Sequence, residues 1–136
     1  MNESIKNVEG IGDEFKSKLE YVGIKTVSEF LVKAQTQEDR DDLANRSDIS
    51  VGYINNWATM LDLTRIEGVG YQYAELFTYS GVRSVDDFRK RSPQNLHEIV
   101  KSINDEKGFS GTVPSEQTLN SFIMNAKTIT NIIERY

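Results

Sequence analysis

The sequence contains no cysteine, one histidine, two prolines and one tryptophan. Without cysteine there is no disulfide scaffold, no thiolate zinc site and no cysteine nucleophile. A lone histidine argues against a histidine-based metal site and against a Ser-His-Asp triad. No apolar run approaches the ~20 residues of a membrane span. The opening residues Met-Asn-Glu-Ser-Ile-Lys lack the apolar core of a signal peptide, so a cytoplasmic protein is expected. No phosphate loop with lysine, nucleophile–base pair or ligand cluster is visible, so no catalysis, cofactor, metal or small-molecule substrate is expected.

What is present is 136 residues, 38% of them hydrophobic, with six Tyr and six Phe. This suits one globular domain or two very small ones rather than a disordered polyelectrolyte. Lys and Arg number 16 against 21 Asp and Glu, for a net charge of −5. Nucleic-acid binders usually show a basic footprint, so this balance counts against a generic one.

The chain repeats itself. Residues 5–31, IKNVEGIGDEFKSKLEYVGIKTVSEFL, align without a gap with residues 63–89, LTRIEGVGYQYAELFTYSGVRSVDDFR. Glu9, Gly10, Gly12, Tyr21, Gly23, Val27 and Phe30 recur as Glu67, Gly68, Gly70, Tyr79, Gly81, Val85 and Phe88. Glycines and apolar positions agree while the rest drifts, as a shared backbone geometry would require. In each copy a Gly-x-Gly turn precedes a helical pattern (Phe15, Leu19, Val22; Tyr73, Phe77, Ser80). Gly23 and Gly81 stand where a left-handed cap ends that helix. Thr26 to Glu29 is a capping box opening a second helix, and Ser84 to Asp87 is its weaker counterpart.

Two more helical stretches follow each copy. Thr36–Arg46 is charged, with Leu43 and Ala44 as its only apolar anchors, and Ser50 caps a helix bearing Tyr53, Ile54, Trp57, Ala58 and Leu61. Ser92-Pro93 starts a helix with Leu96, Ile99, Val100 and Ile103 on one face. Lys107 to Pro114 reads as a loop, and Ser115 caps a final helix predicted to carry Leu119, Phe122, Ile123, Ala126, Ile129 and Ile133 inward. No alternating run asks to be a strand. The fold expected is all-α: two similar helical halves, 1–62 and 63–136, packed as one compact body, with the helix ending near Leu63 shared between them.

The pattern VEGIGDEF…YVGIKTV and IEGVGYQY…YSGVRSV resembles the helix-hairpin-helix motif. The order of elements over nearly the whole chain is similar to an uncharacterised bacterial family of small tandem helix-hairpin-helix proteins, a domain of unknown function. The resemblance implies that the Gly-apolar-Gly turn aims backbone amides at a nucleic-acid phosphate, at the positive end of the following helix. It points to Gly68, Val69 and Gly70, with Tyr71 and Gln72 after them and Arg65 and Arg83 nearby. The weaker counterpart is Gly10, Ile11 and Gly12, where Asp13 and Glu14 would compete for the amides and repel phosphate. Such contacts would carry no base specificity.

The charge divides in the same sense. Residues 1–62 hold 7 basic and 12 acidic side chains, whereas residues 63–136 hold 9 of each. Arg89-Lys90-Arg91 is the only consecutive basic run. The function expected is a non-enzymatic module contacting DNA or RNA backbone through the second turn, weakly and salt-sensitively. The alternative is a protein-interaction adaptor using the acidic first half, with the turns as tight helix connections only. Trp57 and Phe122 read as core, Tyr71 as exposed and Tyr73 as buried. His97 reads as a surface or half-buried side chain, and Glu38–Asp42 as a solvated helix face rather than a calcium loop, for it lacks the central Gly and terminal Glu.

Overall fold

The protein is described from a computed structural model, over residues 3–109 and 111–134. Helices account for its regular structure among these residues. A 3-10 turn at Ile5–Asn7 precedes α1 (Asp13–Tyr21), α2 (Val27–Val32), α3 (Gln37–Ser47), α4 (Val51–Leu63), α5 (Tyr71–Tyr79), α6 (Val85–Arg89), α7 (Pro93–Lys107) and α8 (Glu116–Ala126). One isolated antiparallel bridge joins Ser4 to Thr26.

The helix starts follow from side-chain chemistry. Thr26, Thr36, Ser84, Ser92 and Ser115 each accept the N–H three residues on, relieving an otherwise unpaired first-turn amide. The box at Thr26 is reciprocal, since the Glu29 carboxylate accepts from the Thr26 N–H. At α6 the equivalent Asp87 carboxylate accepts from the Arg83 N–H instead, one residue further back. α4 departs from expectation, for Ser50 precedes it but makes no side-chain cap bond. α1 and α5 each begin on glycine, Gly12 and Gly70, likewise with no side-chain cap. Both end alike. The Ile24 and Gly23 amides return to Leu19 O and Glu20 O, and those of Val82 and Gly81 to Phe77 O and Thr78 O. This paired-bond cap needs a left-handed residue, supplied by Gly23 at φ +89° and Gly81 at φ +98°.

The buried apolar side chains form one continuous cluster from Ile5 to Ile133, with Trp57 and Phe122 inside it. α4 is central, packing on α2, α3, α5 and α6, while α8 packs on α6 and α7. The expected boundary at 62/63 falls within α4. Thr59 donates to Arg83 O at 3.0 Å, and the Asp62 carboxylate accepts from the Val85 N–H at 3.0 Å. Both ends of the chain cross over. Glu3 accepts from the Tyr71 hydroxyl. At the other end the Glu134 N–H donates to Gln35 O, and the Glu134 carboxylate accepts from the Gln37 N–H.

Two further expectations need correction here. α8 stops at Ala126, so Ile129 and Ile133 are not on it; the chain leaves the helix to bring Ile133, fully buried, onto the first half. And α3 is not anchored by Leu43 and Ala44 alone. Arg40 is fully buried, donating to Ala34 O (2.7 Å), Glu134 O (3.0 Å) and Asn55 Oδ1 (2.9 Å). Carbonyls left by the α2–α3 turn and the C-terminal segment make a burial site for a guanidinium that charge patterning reads as surface. Of the expected loop 107–114, Ser110 lies outside the described residues; its start is as expected, with Gly108 ending α7 at φ +68°.

Candidate nucleic-acid interface

The second turn runs from the end of α4 to the start of α5. Its backbone closes on itself: the Ile66 amide donates to Leu63 O and the Val69 amide to Ile66 O at 3.0 Å. Val69 is buried, and so is its first-turn counterpart Ile11, whose amide returns to Val8 O. These two expected phosphate donors are therefore used internally. What remains is the opening of α5. Its first i→i−4 bond runs from the Ala74 N–H to Gly70 O, so the Tyr71, Gln72 and Tyr73 amides precede the helical ladder.

The two glycines of this turn serve different ends. Gly68 is in the left-handed region at φ +93°, and a Cβ there would lie 2.6 Å from Phe122 Cε1. α8 supports the turn from beneath through Phe122 and through Asn125 Nδ2, which donates to Glu67 O at 3.1 Å. Gly70 has neither constraint, for its φ is −88° and a Cβ would meet nothing within 4 Å. The first turn repeats this division by other means. A Cβ at Gly10 would lie 2.7 Å from Met60 Sδ, without a left-handed φ, whereas Gly12 at φ −70° is open.

Gly68, Gly70, Tyr71, Gln72 and Tyr73 line an open cleft of about 580 Å³, closed on its other sides by Glu9, Gly111 and Thr112. A smaller cleft of about 260 Å³ adjoins it across Tyr71 and Gln72, with Glu9 again on its wall and Glu75 beside it. Among the described residues neither cleft is lined by a lysine or arginine. Tyr71 is half-buried rather than exposed, because the N-terminal segment lays Glu3 on its hydroxyl. Burial, then Glu3 and Glu9, push the Tyr71 hydroxyl pKa up. Burial alone raises the Glu75 carboxyl. Tyr73 is half-buried too, between Phe77 and Phe122.

The expected cations are elsewhere. Arg65 donates to Asp62 Oδ1 at 2.6 Å and to Thr130 O. Arg83 follows the far end of α5, where its guanidinium donates to Thr78 O. The basic run is internally paired: Arg89 and Lys90 with Asp86, and Arg91 with Asp87. The structure thus brings Gly68, Gly70, Tyr71 and Gln72 together and leaves Arg65 and Arg83 out. It adds three carboxylates, from Glu3, Glu9 and Glu75. Nothing local in the sequence marks Glu3 or Glu9 as belonging to this turn, for both stand in the first half of the chain.

Asp62 is fully buried, and desolvation raises its carboxyl pKa against the opposing pull of the Val85 N–H and Arg65. Its bonds hold α4 to α6, so its role is architectural. His97 is half-buried with Nδ1 at 3.0 Å from Pro114 O. Among the described residues no group of acids and histidine is placed to hold a metal, and no helix is long and apolar enough to cross a membrane.

A family model described as a domain of unknown function, DUF4332, matches residues 9–129. Neither a curated protein nor a solved structure matches the chain.

Proposed function

The chain belongs to the DUF4332 family, a domain of unknown function, and we propose for it a non-enzymatic role as a binding module that contacts nucleic-acid backbone, DNA or RNA, at the second glycine turn. The reading keeps the helix-hairpin-helix resemblance and the tandem organisation into 1–62 and 63–136. The observation that carries it is Gly70. Serine, asparagine or aspartate caps a helix better than glycine, and neither conformation nor packing requires glycine at this position. A phosphate oxygen approaching the first-turn amides of α5 does require it, because a side chain there would stand in the way. With no lysine or arginine of the described residues on the cleft and Glu9 beside it, the contact is weak, and with few phosphates neutralised its salt dependence is shallow.

Fluorescence anisotropy with labelled single- and double-stranded oligonucleotides, at ~25 mM and ~150 mM salt, tests this. Binding is expected at the lower salt, with only a modest loss at the higher. Gly70→Asp is expected to keep or raise the melting temperature by capping α5, and to abolish binding through its charge. Absence of binding at low salt, or equal binding by the variant, removes the proposal.

A second reading, the protein-interaction adaptor, is favoured by the carboxylates of Glu3, Glu9 and Glu75 around the cleft and by the acidic surface of the first half. A basic partner gains from both.

A further inference from the structure

At the start of α4, aromatic side chains run from the core to the surface. Phe30 and Trp57 are buried, Phe15 is half-buried and Tyr53 is 49% exposed. The rings follow one another, with centroids 6.5 Å apart for Phe30–Trp57, 5.2 Å for Trp57–Phe15 and 4.7 Å for Phe15–Tyr53. Tyr53 also stacks on Trp57 at 29° between planes. The outer ring is therefore packed against two others while the residue stays exposed, a large contact surface that costs little entropy to immobilise.

Beside Tyr53 stands Gly52, exposed, within the first turn of a helix. Glycine destabilises a helix relative to alanine. Here no left-handed φ requires it, and a Cβ would meet nothing within 4 Å. No internal contact explains the missing side chain; a partner approaching the helix does. Gly52 and Tyr53 line a shallow depression of about 320 Å³ that shares Ser50 with a polar cleft of about 580 Å³ holding Asp41, Asn45 and Asp48. On the other flank Phe15 is preceded by Asp13 and Glu14, both strongly exposed. Lys18 lies between Glu14 and Asp48, at 3.8 Å and 3.9 Å, and offsets only part of this charge.

We propose that this face, an exposed aromatic ring beside a bare helix turn with carboxylates on both flanks, docks an arginine-bearing segment of a partner protein. It rests on the adaptor reading and adds to it the place and the chemistry. Arginine fits better than lysine. Its planar guanidinium stacks on Tyr53 and still presents donors in its plane to the Asp48 or Glu14 carboxylate. The glycine lets the partner backbone come close to α4.

The full chain, 15N-labelled, is titrated with a synthetic peptide of four arginines spaced by glycine and serine, and with its lysine counterpart of equal charge, at low salt. The arginine peptide is expected to bind at least threefold more tightly and to shift the amides of Glu14, Asp48, Gly52 and Tyr53. Gly52→Gln is expected to raise the melting temperature and to weaken binding at least fivefold. Tyr53→Ser is expected to remove the preference for arginine. Glu14→Gln with Asp48→Asn, where asparagine keeps the left-handed φ of 58° at position 48, is expected to weaken both peptides alike. No binding of either peptide overturns the adaptor reading itself. Binding that the charge variants abolish but that Gly52→Gln and Tyr53→Ser leave unchanged overturns the aromatic face and keeps the adaptor. Shifts confined to Glu3, Glu9 and Glu75 overturn the location.

Discussion

Gly68 and Gly70 are two residues apart and owe their identity to different forces. Gly68→Ala places a Cβ in a left-handed conformation and 2.6 Å from the Phe122 ring, and should cost about 2–3 kcal/mol. Chemical denaturation checks this; a loss below ~0.5 kcal/mol would show that the ring moves aside freely. The consequence for binding experiments is direct: a double variant of both glycines confounds folding with function, so position 70 alone is the usable probe. Glu75 offers a pH test. Burial raises its carboxyl pKa above the ordinary 4.5, so the folded state favours the protonated form. Its contribution to stability is full below that ordinary value and is lost as pH rises through the raised one. Glutamine mimics the protonated group. Glu75→Gln should therefore raise the melting temperature more at pH 7.5 than at pH 4, and a gain that is equal at both values would remove the assignment.

Among elements, α3 shows how little charge alone says about location. Arg40 and Arg46 lie on the same helix, six residues apart. Arg40 is fully buried on carbonyl oxygens, whereas Arg46 pairs with Asp42 at 3.1 Å on the surface. Removing the first strands buried acceptors; removing the second exchanges one solvated contact for water. Arg40→Ala is expected to lose about 3 kcal/mol and Arg46→Ala less than about 0.5 kcal/mol in urea unfolding. Similar losses would mean that the buried carbonyls find water on their own. The short helix α6 is likewise held from outside itself. Five residues cannot sustain a helix in isolation; the Ser84 cap and the Asp62 carboxylate on the Val85 amide supply what its length does not.

At the scale of the molecule, each terminal segment is anchored in the opposite half, at Tyr71 and at α3, and one continuous core runs between. Such an arrangement leaves neither segment a complete core of its own. The intact chain should unfold in a single transition with coincident far-UV and near-UV circular dichroism. A fragment of residues 1–62, lacking α5 and the segment around Glu134, should show no cooperative melt. Two separated transitions in the intact chain would favour independent halves. The crossing also undoes the charge division along the chain. Residues 63–136 are neutral in sum, yet the cleft at their glycine turn receives Glu3 and Glu9 from the other half.

The sequence by itself determined what depends on neighbours along the chain. Helix starts at Thr26, Ser84, Ser92 and Ser115, the left-handed glycines at 23 and 81, and the apolar faces around Trp57 and Phe122 were legible because capping and periodicity act over three or four residues. The all-helical class followed from the same local signals. Tertiary structure decided what depends on residues far apart in number. It placed Arg40 inside and ended α8 at Ala126. It turned Arg65 and Arg83 toward internal acceptors and set Glu3 on Tyr71. The identity of a side chain limits which partners it accepts. Only the folded chain decides which partner lies within 3 Å, because that distance is fixed by packing between elements and not by spacing along the backbone.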